Sequence, residues 1–191
     1  MQANYQEDQT FTKTPVDQLI GRDRTYENCR FMNCDFAYAN LYSMVFIDCT
    51  FQDCNLSLAD VSNTGFQNIT FKHCKISGVN FGKARDFLFE VHFEHCILDN
   101  TVFYQKKNKK ARFSECSMVE TDLTECDLTD AKFVNCNLNR AFFSRTILKG
   151  ADLRSSYNFM IDPDDNMIKK AQFSLHGLPG LLGKYDIKIE G

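Results

Sequence analysis

From Ala111 to Ser155 the chain reads ARFSE CSMVE TDLTE CDLTD AKFVN CNLNR AFFSR TILKG ADLRS, with Phe, Met or Leu at the third place of every five residues. A small residue, Ala, Cys or Thr, occupies the first place of each group. A period of five matches neither the 3.6 residues of a helical turn nor the alternation of a half-buried strand. The stretch therefore indicates a repeat architecture in which each unit buries one large and one small side chain.

The same pattern extends back along the chain to Tyr26. The step from Phe81 to the next large residue in phase, Leu88, is seven residues instead of five, so we expect a phase break over 82–92. The pattern predicts a core that includes large residues at Phe31, Phe36, Phe46, Phe51, Phe66 and Phe71, with small ones at Cys29, Cys34, Cys49 and Cys54.

Segments such as Ala131–Asn135 (AKFVN) and Ala151–Ser155 (ADLRS) resemble the pentapeptide repeat family, and the resemblance covers residues 22–156. It implies an all-β fold, a right-handed quadrilateral β-helix in which four five-residue sides make one coil. We expect residues 1–21 to form an N-terminal cap, and residues 157–191 to form a last repeat and a C-terminal cap. That cap is predicted to contain a short helix over Leu178–Tyr185 and a strand over Asp186–Glu190.

All nine cysteines lie two places before a large core position, where Ala and Thr stand in other repeats. Free cysteine behaves as a small buried hydrophobe, so this placement favours a structural role. The nearby His92, His95 and Cys96 are not expected to bind a metal, because the two histidines point outward and the cysteine points inward. Zinc sites also need ligand spacings that a period of five does not supply.

The segment Asp162–Asn166 (DPDDN) is similar to the start of a calcium-binding loop. Such a loop needs Gly at its sixth place and Glu at its twelfth, where this chain has Met167 and Phe173. The segment is therefore interpreted as a turn. We expect neither a metal nor a cofactor.

No motif for catalysis is present, and a filled β-helix offers no interior cavity for a substrate, so we expect a protein that is not an enzyme and acts through its outer surface. The formal charge of −3 argues against binding nucleic acid or anionic membranes through bulk charge. The N-terminus shows no signal-peptide pattern, and no apolar run is long enough to span a membrane. We therefore expect a cytoplasmic location.

Acidic residues are unevenly placed along the chain. Residues 31–71 contain no Lys or Arg, but they contain four carboxylates that are candidates for partner binding: Asp35, Asp48, Asp53 and Asp60. The acidic residues of 113–131 are instead predicted to pair across coils, at twenty-residue spacing: Glu120 with Arg140, Glu125 with Arg145, Asp127 with Lys107 and Asp130 with Lys110. The N-terminal carboxylates are either a solvated face or a negative face that a DNA-binding enzyme accepts.

Within the family, the chain resembles the topoisomerase-protecting branch, most closely the albicidin-resistance proteins and more distantly the quinolone-resistance proteins. The segments that carry this resemblance are Cys54–Leu58, Phe93–Tyr104, Tyr157–Asp162 and Ile168–Leu175. It implies a homodimer that imitates duplex DNA, binds DNA gyrase and protects it from inhibitors that trap cleaved DNA. The alternative is a repeat scaffold for some other protein partner.

Two further segments leave alternatives open. Lys106–Lys110 (KKNKK) places Lys106 in a small core position and Asn108 in a large one, so we expect this side to bulge outward. The cluster either contacts DNA phosphates or pairs with carboxylates of the next coil. The C-terminal segment either covers the last coil or forms the dimer interface, through Leu178, Leu181, Leu182, Tyr185, Ile187 and Ile189.

Overall fold

The computed structural model describes residues 4–21, 24–185 and 187–188. Short β-strands follow one another along most of the chain, each only three or four residues long: β1 Tyr5–Glu7, β2 Thr10–Thr12, β3 Thr25–Glu27, β4 Arg30–Met32, β5 Val45–Ile47, β6 Thr50–Gln52, β7 Gly65–Gln67, β8 Ile69–Lys72, β9 Val91–Glu94, β10 Arg112–Ser114 and β11 Lys132–Val134. The α-helices are α1 Val16–Leu19 and α2 Pro179–Leu182, and 3-10 turns occupy Phe81–Lys83, Leu175–Gly177 and Gly183–Tyr185.

The strands pair in parallel with residues one coil away, as a solenoid requires. One sheet has the order β1-β3-β5-β7, and the other has the order β11-β10-β9-β8-β6-β4-β2. Phe31 pairs with Phe51 and Phe51 with Phe71, a register of twenty residues. Isolated parallel bridges, such as Asp35 with Asn55, link successive coils on the other sides. The chain thus forms a mostly β solenoid of about six turns with a short C-terminal helix, and the predicted fold class is confirmed.

Phenylalanine rings fill the interior by stacking along the solenoid. The ring centroids of Phe31 and Phe51 are 4.6 Å apart, those of Phe51 and Phe71 are 5.0 Å apart, and those of Phe71 and Phe93 are 5.3 Å apart. Each ring therefore contacts its counterpart in the coils above and below, an offset-stacked arrangement that aromatic pairs favour. All ten large and small residues named for the core are buried: Phe31, Phe36, Phe46, Phe51, Phe66, Phe71, Cys29, Cys34, Cys49 and Cys54.

The thiols occupy the small core positions, and eight of the nine bond to a backbone carbonyl of the preceding coil. Cys49 Sγ lies 3.4 Å from the Tyr26 carbonyl oxygen, and Cys54 Sγ lies 3.3 Å from that of Phe31. Burial raises the pKa of Cys49 to about 12. All nine cysteines are free and buried, so they act as packing groups in this structure.

The phase break is a two-residue insertion in one coil. Before it, strands pair with a register of twenty residues, and across it Phe71 pairs with Phe93. The prediction that Leu88 fills the large core position was wrong. Leu88 is exposed, and Phe89 enters the core in its place and packs against Phe66 and Phe81.

At the N-terminus, the solenoid begins earlier than predicted. Strand β1 already pairs with β3, and β2 with β4, so coil stacking begins at Tyr5 and not at residue 22. At the C-terminus the last bridges join Ile147 to Met167 and Asp152 to Gln172. Most of the predicted strand Asp186–Glu190 lies outside the described residues. No helix in the described part of the chain has the length and apolar character needed to cross a bilayer.

Candidate protein-binding surface

Each side of a coil ends at a corner, the residue two places after the large core residue. Corner residues have a left-handed backbone conformation, with φ of 50° at Asn28, 52° at Asp48 and 54° at Asn68. Asn and Asp tolerate this conformation better than most residues, because their short polar side chains bond to the local backbone. The amides and carboxylates of the surface are therefore partly dictated by the turns of the solenoid.

The four candidate carboxylates lie at different places around the rod. Asp48 and Asp53 are corner residues on either side of the seven-stranded sheet. Asp35 and Asp60 lie in two different columns of bridges, one joined to Asn55 and the other to Asn40. The four therefore do not form one acidic face, because their positions along the chain do not differ by the twenty residues of a coil.

Amide groups accompany the carboxylate of Asp48. Asn68 Nδ2 donates to Asp48 Oδ1 at 2.6 Å, and two coils earlier Asn28 Nδ2 donates in the same way to Asp8. Asp53 accepts from Gln52 Nε2 at 3.2 Å. These bonds orient the carboxylates without neutralising them, so the surface keeps its negative charge.

The other two carboxylates cap turns of the backbone. Asp35 Oδ1 accepts from the Ala37 N–H at 3.0 Å, and Asp60 Oδ1 accepts from the Ser62 N–H at 2.9 Å. Hydrogen bonds from the Ser62 side chain and backbone lower the pKa of Asp60 from its ordinary value. Asp60 is therefore ionised at neutral pH while it stabilises its own turn.

Residues of the second acidic stretch are paired with cations across coils. Arg140 Nη1 lies 3.1 Å from Glu120 Oε1, and Arg145 Nη2 lies 2.5 Å from Glu125 Oε1. These are the pairs that the twenty-residue spacing predicts. The predicted partner of Asp127 was wrong. Its carboxylate lies 3.2 Å from Lys109 Nζ, whereas Lys107 is joined to Asp127 by a backbone bridge.

The Lys106–Lys110 segment does not bulge outward as predicted. The side chain of Lys106 is buried, and its Nζ donates to the Ala84 carbonyl at 2.7 Å and to Asp86 Oδ1 at 2.5 Å. Asn108 is also buried and bonds through its amide to the Val91 backbone in both directions, at 3.2 and 3.0 Å. Polar partners inside the solenoid thus allow two polar residues to occupy core positions.

The two-residue insertion forms a loop in the coil that precedes Lys106. Its tip residues Phe87 and Leu88 are 71% and 62% exposed. Arg85, at the base of the loop, donates to Asn63 Oδ1 at 3.1 Å and to Ser43 Oγ at 3.3 Å. The loop is therefore anchored at its base and apolar at its tip, a feature that the five-residue pattern did not reveal.

The histidines near Cys96 and the acidic turn Asp162–Asn166 make contacts with other side chains. His95 stacks on His73 with ring centroids 4.7 Å apart, and its Nδ1 lies 3.3 Å from Glu115 Oε2. Lys184 Nζ contacts the carboxylates of both Asp162, at 2.6 Å, and Asp164. Among the residues that the structure describes, no group of three or more His, Cys, Asp or Glu is arranged to hold a metal ion.

The candidate dimerisation residues are not equivalent. Leu178, Tyr185 and Ile187 are exposed, whereas Leu181 packs against the buried core as part of a cover over the last coil. Leu182 is partly buried. Ile189 lies outside the described residues. Two exposed residues that were not predicted, Met160 and Leu175, extend the apolar surface at this end.

A family model described as a pentapeptide repeat region matches residues 25–85 and 87–157, well over half of the chain. The chain belongs to the pentapeptide repeat family. None of the curated proteins compared with this pentapeptide repeat chain matches it in sequence.

Among solved structures, the chain is similar to full-length QnrB1, a plasmid-mediated fluoroquinolone resistance protein, with a TM-score of 0.63 and 17% identity over 96% of this chain and 100% of that one. A second QnrB1 structure, of a trypsin-treated single-residue variant, gives a TM-score of 0.62 and 17% identity over 98% of this chain and 99% of that one. HetL from the cyanobacterium Nostoc, a pentapeptide repeat protein involved in heterocyst differentiation regulation, gives a TM-score of 0.51 and 11% identity, covering 88% and 84%. At these identities the likeness shows a shared fold.

Proposed function

We propose that this protein is a non-enzymatic binding protein that docks on DNA gyrase and protects it from topoisomerase poisons. The observation that carries the proposal is the end-to-end agreement of its fold with that of QnrB1, a fluoroquinolone resistance protein. The carboxylates of residues 31–71 support it, because that segment contains four of them around the rod and no Lys or Arg. Gyrase acts in the bacterial cytoplasm, so the proposal places the protein there.

The distribution of the carboxylates suggests how the partner is engaged. Duplex DNA carries about one phosphate charge per 1.7 Å of its axis and meets its binding proteins within a basic groove. Asp35, Asp48, Asp53 and Asp60 lie on different sides of the rod. A partner that encloses the rod contacts all four, whereas a flat surface contacts only one or two. The proposed site is therefore a groove that surrounds the rod, as the DNA-binding groove of a topoisomerase does.

Dimerisation through the C-terminal cap is the second part of the proposal. Leu175, Leu178, Tyr185 and Ile187 are exposed at this end, more apolar surface than a cover over one coil needs. Burying such residues against a second copy removes them from water, and two-fold dimers are the commonest form of self-association. A dimer of this kind joins two rods end to end and presents an acidic half on each side.

The direct test is gyrase supercoiling of relaxed plasmid in the presence of a fluoroquinolone or albicidin. We expect the purified protein to restore supercoiling and to reduce the cleaved DNA that the poison traps. The informative variant changes Asp35, Asp48, Asp53 and Asp60 together to Asn, which suits the corners and keeps an oxygen for the turn bonds. Its unfolding temperature should fall only slightly, because Asp60 loses the charge that its turn bonds favour, while its protection of gyrase is lost.

A matched control changes the paired carboxylates Glu120 and Glu125 to Gln, and it should protect gyrase as well as the wild type does. If the wild-type protein has no effect on gyrase, with or without poison, the proposed function is excluded.

A second candidate is a scaffold for a different protein. HetL supports it, since it has the same fold and is described as acting in heterocyst differentiation regulation. Affinity purification from the native host distinguishes the two candidates: recovery of gyrase subunits favours the first, and recovery of a different protein without gyrase favours the second.

A further inference from the structure

Two large apolar residues stand at the same corner of successive coils. The Tyr38 N–H bonds to the Ser57 carbonyl, and the Leu58 N–H bonds to the Ser77 carbonyl, each at 3.0 Å. Tyr38 is 76% exposed and Leu58 is 52% exposed. The two side chains therefore form a short apolar ridge on the surface, which we name the Tyr38–Leu58 ridge.

The backbone does not favour apolar residues at these positions. Tyr38 and Leu58 have φ of 58° and 57°, in the left-handed region that costs ordinary L-residues about 1 kcal/mol or more. Among the described residues, every other non-glycine residue with positive φ is polar or charged, apart from Leu88 in the insertion loop. Turn geometry and core packing do not account for Tyr and Leu here, which makes a contact outside the chain a physical reason for them.

The next residue of the column makes room for the ridge. Gly78 takes the same corner one coil further on, with φ of 73°. A Cβ atom added at Gly78 would lie 2.5 Å from Leu58 Cδ2, so Leu58 leans over the glycine. Beyond Gly78 the same column becomes polar, and Glu120 and Arg140 form an ion pair there. The apolar ridge is thus confined to the N-terminal half of the rod.

A carboxylate lies on each side of the Tyr38–Leu58 ridge. Asp35 lies on the side that precedes this corner and Asp60 on the side that follows it, each held by a turn bond. Tyr42, also exposed, lies on the same side as Asp60. Such a surface repels nucleic acid and anionic lipid, and it complements a protein pocket that is apolar at its centre and bordered by Lys or Arg.

We propose that the Tyr38–Leu58 ridge is the apolar anchor by which this protein docks on the basic, DNA-binding surface of its topoisomerase partner. This inference rests on the proposed function and adds to it the residues that supply binding energy. Carboxylates steer the approach of the partner and set its orientation. A buried Tyr and Leu at the centre of the contact slow its dissociation, as aromatic anchors do in other protein interfaces.

The test uses substitutions that suit the fold better than the native residues do. Tyr38→Asn and Leu58→Asn place the preferred corner residue at both positions, so the double variant should unfold at the same temperature as the wild type or higher. Its affinity for purified gyrase, measured by surface plasmon resonance, should fall at least tenfold. Lys170→Asn is the matched control, an exposed corner with φ of 63° in the C-terminal half, and it should keep wild-type affinity.

Three results would overturn the inference in distinguishable ways. If the wild type and the double variant bind gyrase equally well, the ridge is not an anchor while the proposed function stands. If the double variant unfolds at a lower temperature, the two side chains serve the fold. If the wild type itself does not bind gyrase, the proposed function fails and the ridge proposal fails with it.

Discussion

At the scale of single residues, a buried lysine is the least expected feature of this solenoid. Lys106 occupies a small core position that Cys, Ala or Thr fills in other coils, and its side chain is 3% exposed. Its ammonium group bonds to the Ala84 carbonyl and to Asp86, and it lies 5.3 Å from the centroid of the Phe89 ring. A buried cation is tolerated when such partners replace its water. The insertion loop supplies all of these partners.

We expect Lys106→Ala to lower the free energy of unfolding by about 2 to 4 kcal/mol, because it leaves a cavity and an unpaired carbonyl. Lys106→Met keeps most of the packing and loses the bonds, so its cost should be about 1 to 3 kcal/mol. Urea unfolding followed by circular dichroism measures both. Lys107→Ala, at the exposed neighbouring position, is the control and should change stability by less than about 0.5 kcal/mol. Equal stability of Lys106→Ala and the wild type would contradict this role.

The burial of some residues could be predicted from the sequence, and the burial of others could not. The burial of Phe51 and Cys54 follows directly from the period of five, because every coil repeats the same inward positions. Lys106 could not be placed that way, since its burial depends on Asp86 and Ala84, whose positions follow from the path of the inserted loop. Similarly, Phe87, Leu88 and Phe89 are consecutive apolar residues, and only the backbone of the loop decides which one enters the core.

At the scale of structural elements, the insertion loop is held at its base by side chains of neighbouring coils. Arg85 ties its base to Ser43 and Asn63, Lys106 holds Asp86 from below, and Phe89 fills the core. Only the tip, Phe87 and Leu88, is left without core contacts of this kind. The sequence located the insertion within 82–92, but its anchoring depends on side chains from three different coils. Sequence spacing alone does not reveal such contacts.

This anchoring predicts how the loop responds to a protease. In the wild type, trypsin should cleave slowly after Arg85, because that guanidinium and the adjacent backbone are held by several bonds. Lys106→Met frees Asp86 and should speed this cleavage several-fold, which is measured from the fragments 1–85 and 86–191 by mass spectrometry. Leu138→Ala, a destabilising change in a distant coil, controls for global unfolding and should not favour this site. Unchanged cleavage after Arg85 in Lys106→Met would show that the loop is held by other contacts.

At the scale of the whole molecule, carboxyl groups with lowered pKa values should make the stability of the rod decline at acid pH. The side chain of Asp127 is 15% exposed, and although desolvation acts in the opposite direction, hydrogen bonds from Thr129 and the Lys109 ammonium lower its pKa. The Arg154 side chain lowers the pKa of Asp152. A carboxyl whose pKa is lower in the folded state stabilises the fold above its unfolded pKa of about 3.9, and the contribution is lost as pH falls through the folded value.

We therefore expect the urea midpoint to be nearly constant from pH 7 to about 5 and to fall below about pH 4. Asp127→Asn should lower stability at pH 7 and make the decline at acid pH shallower. An acid decline of the same steepness in this variant would exclude Asp127 as a contributor.

At the C-terminal end, some apolar residues pack on the core and others are exposed, and the exposed ones determine the assembly state that we expect. Leu181 packs against the core, whereas Leu178 is exposed beside Leu175 and Tyr185. If the end of the rod is a dimer interface, Leu178→Asp buries an unpaired carboxylate in that interface and should convert a dimer into a 22.1 kDa monomer with little loss of fold. Leu181→Asp should instead destabilise the last coil. Sedimentation velocity and thermal unfolding separate the two effects.

Leu58→Asp, at the other half of the rod, is the control and should remain dimeric. A wild-type protein that sediments as a monomer at micromolar concentration, or a Leu178→Asp variant that stays dimeric, would rule out this interface, and the C-terminal segment would then be a cover over the last coil.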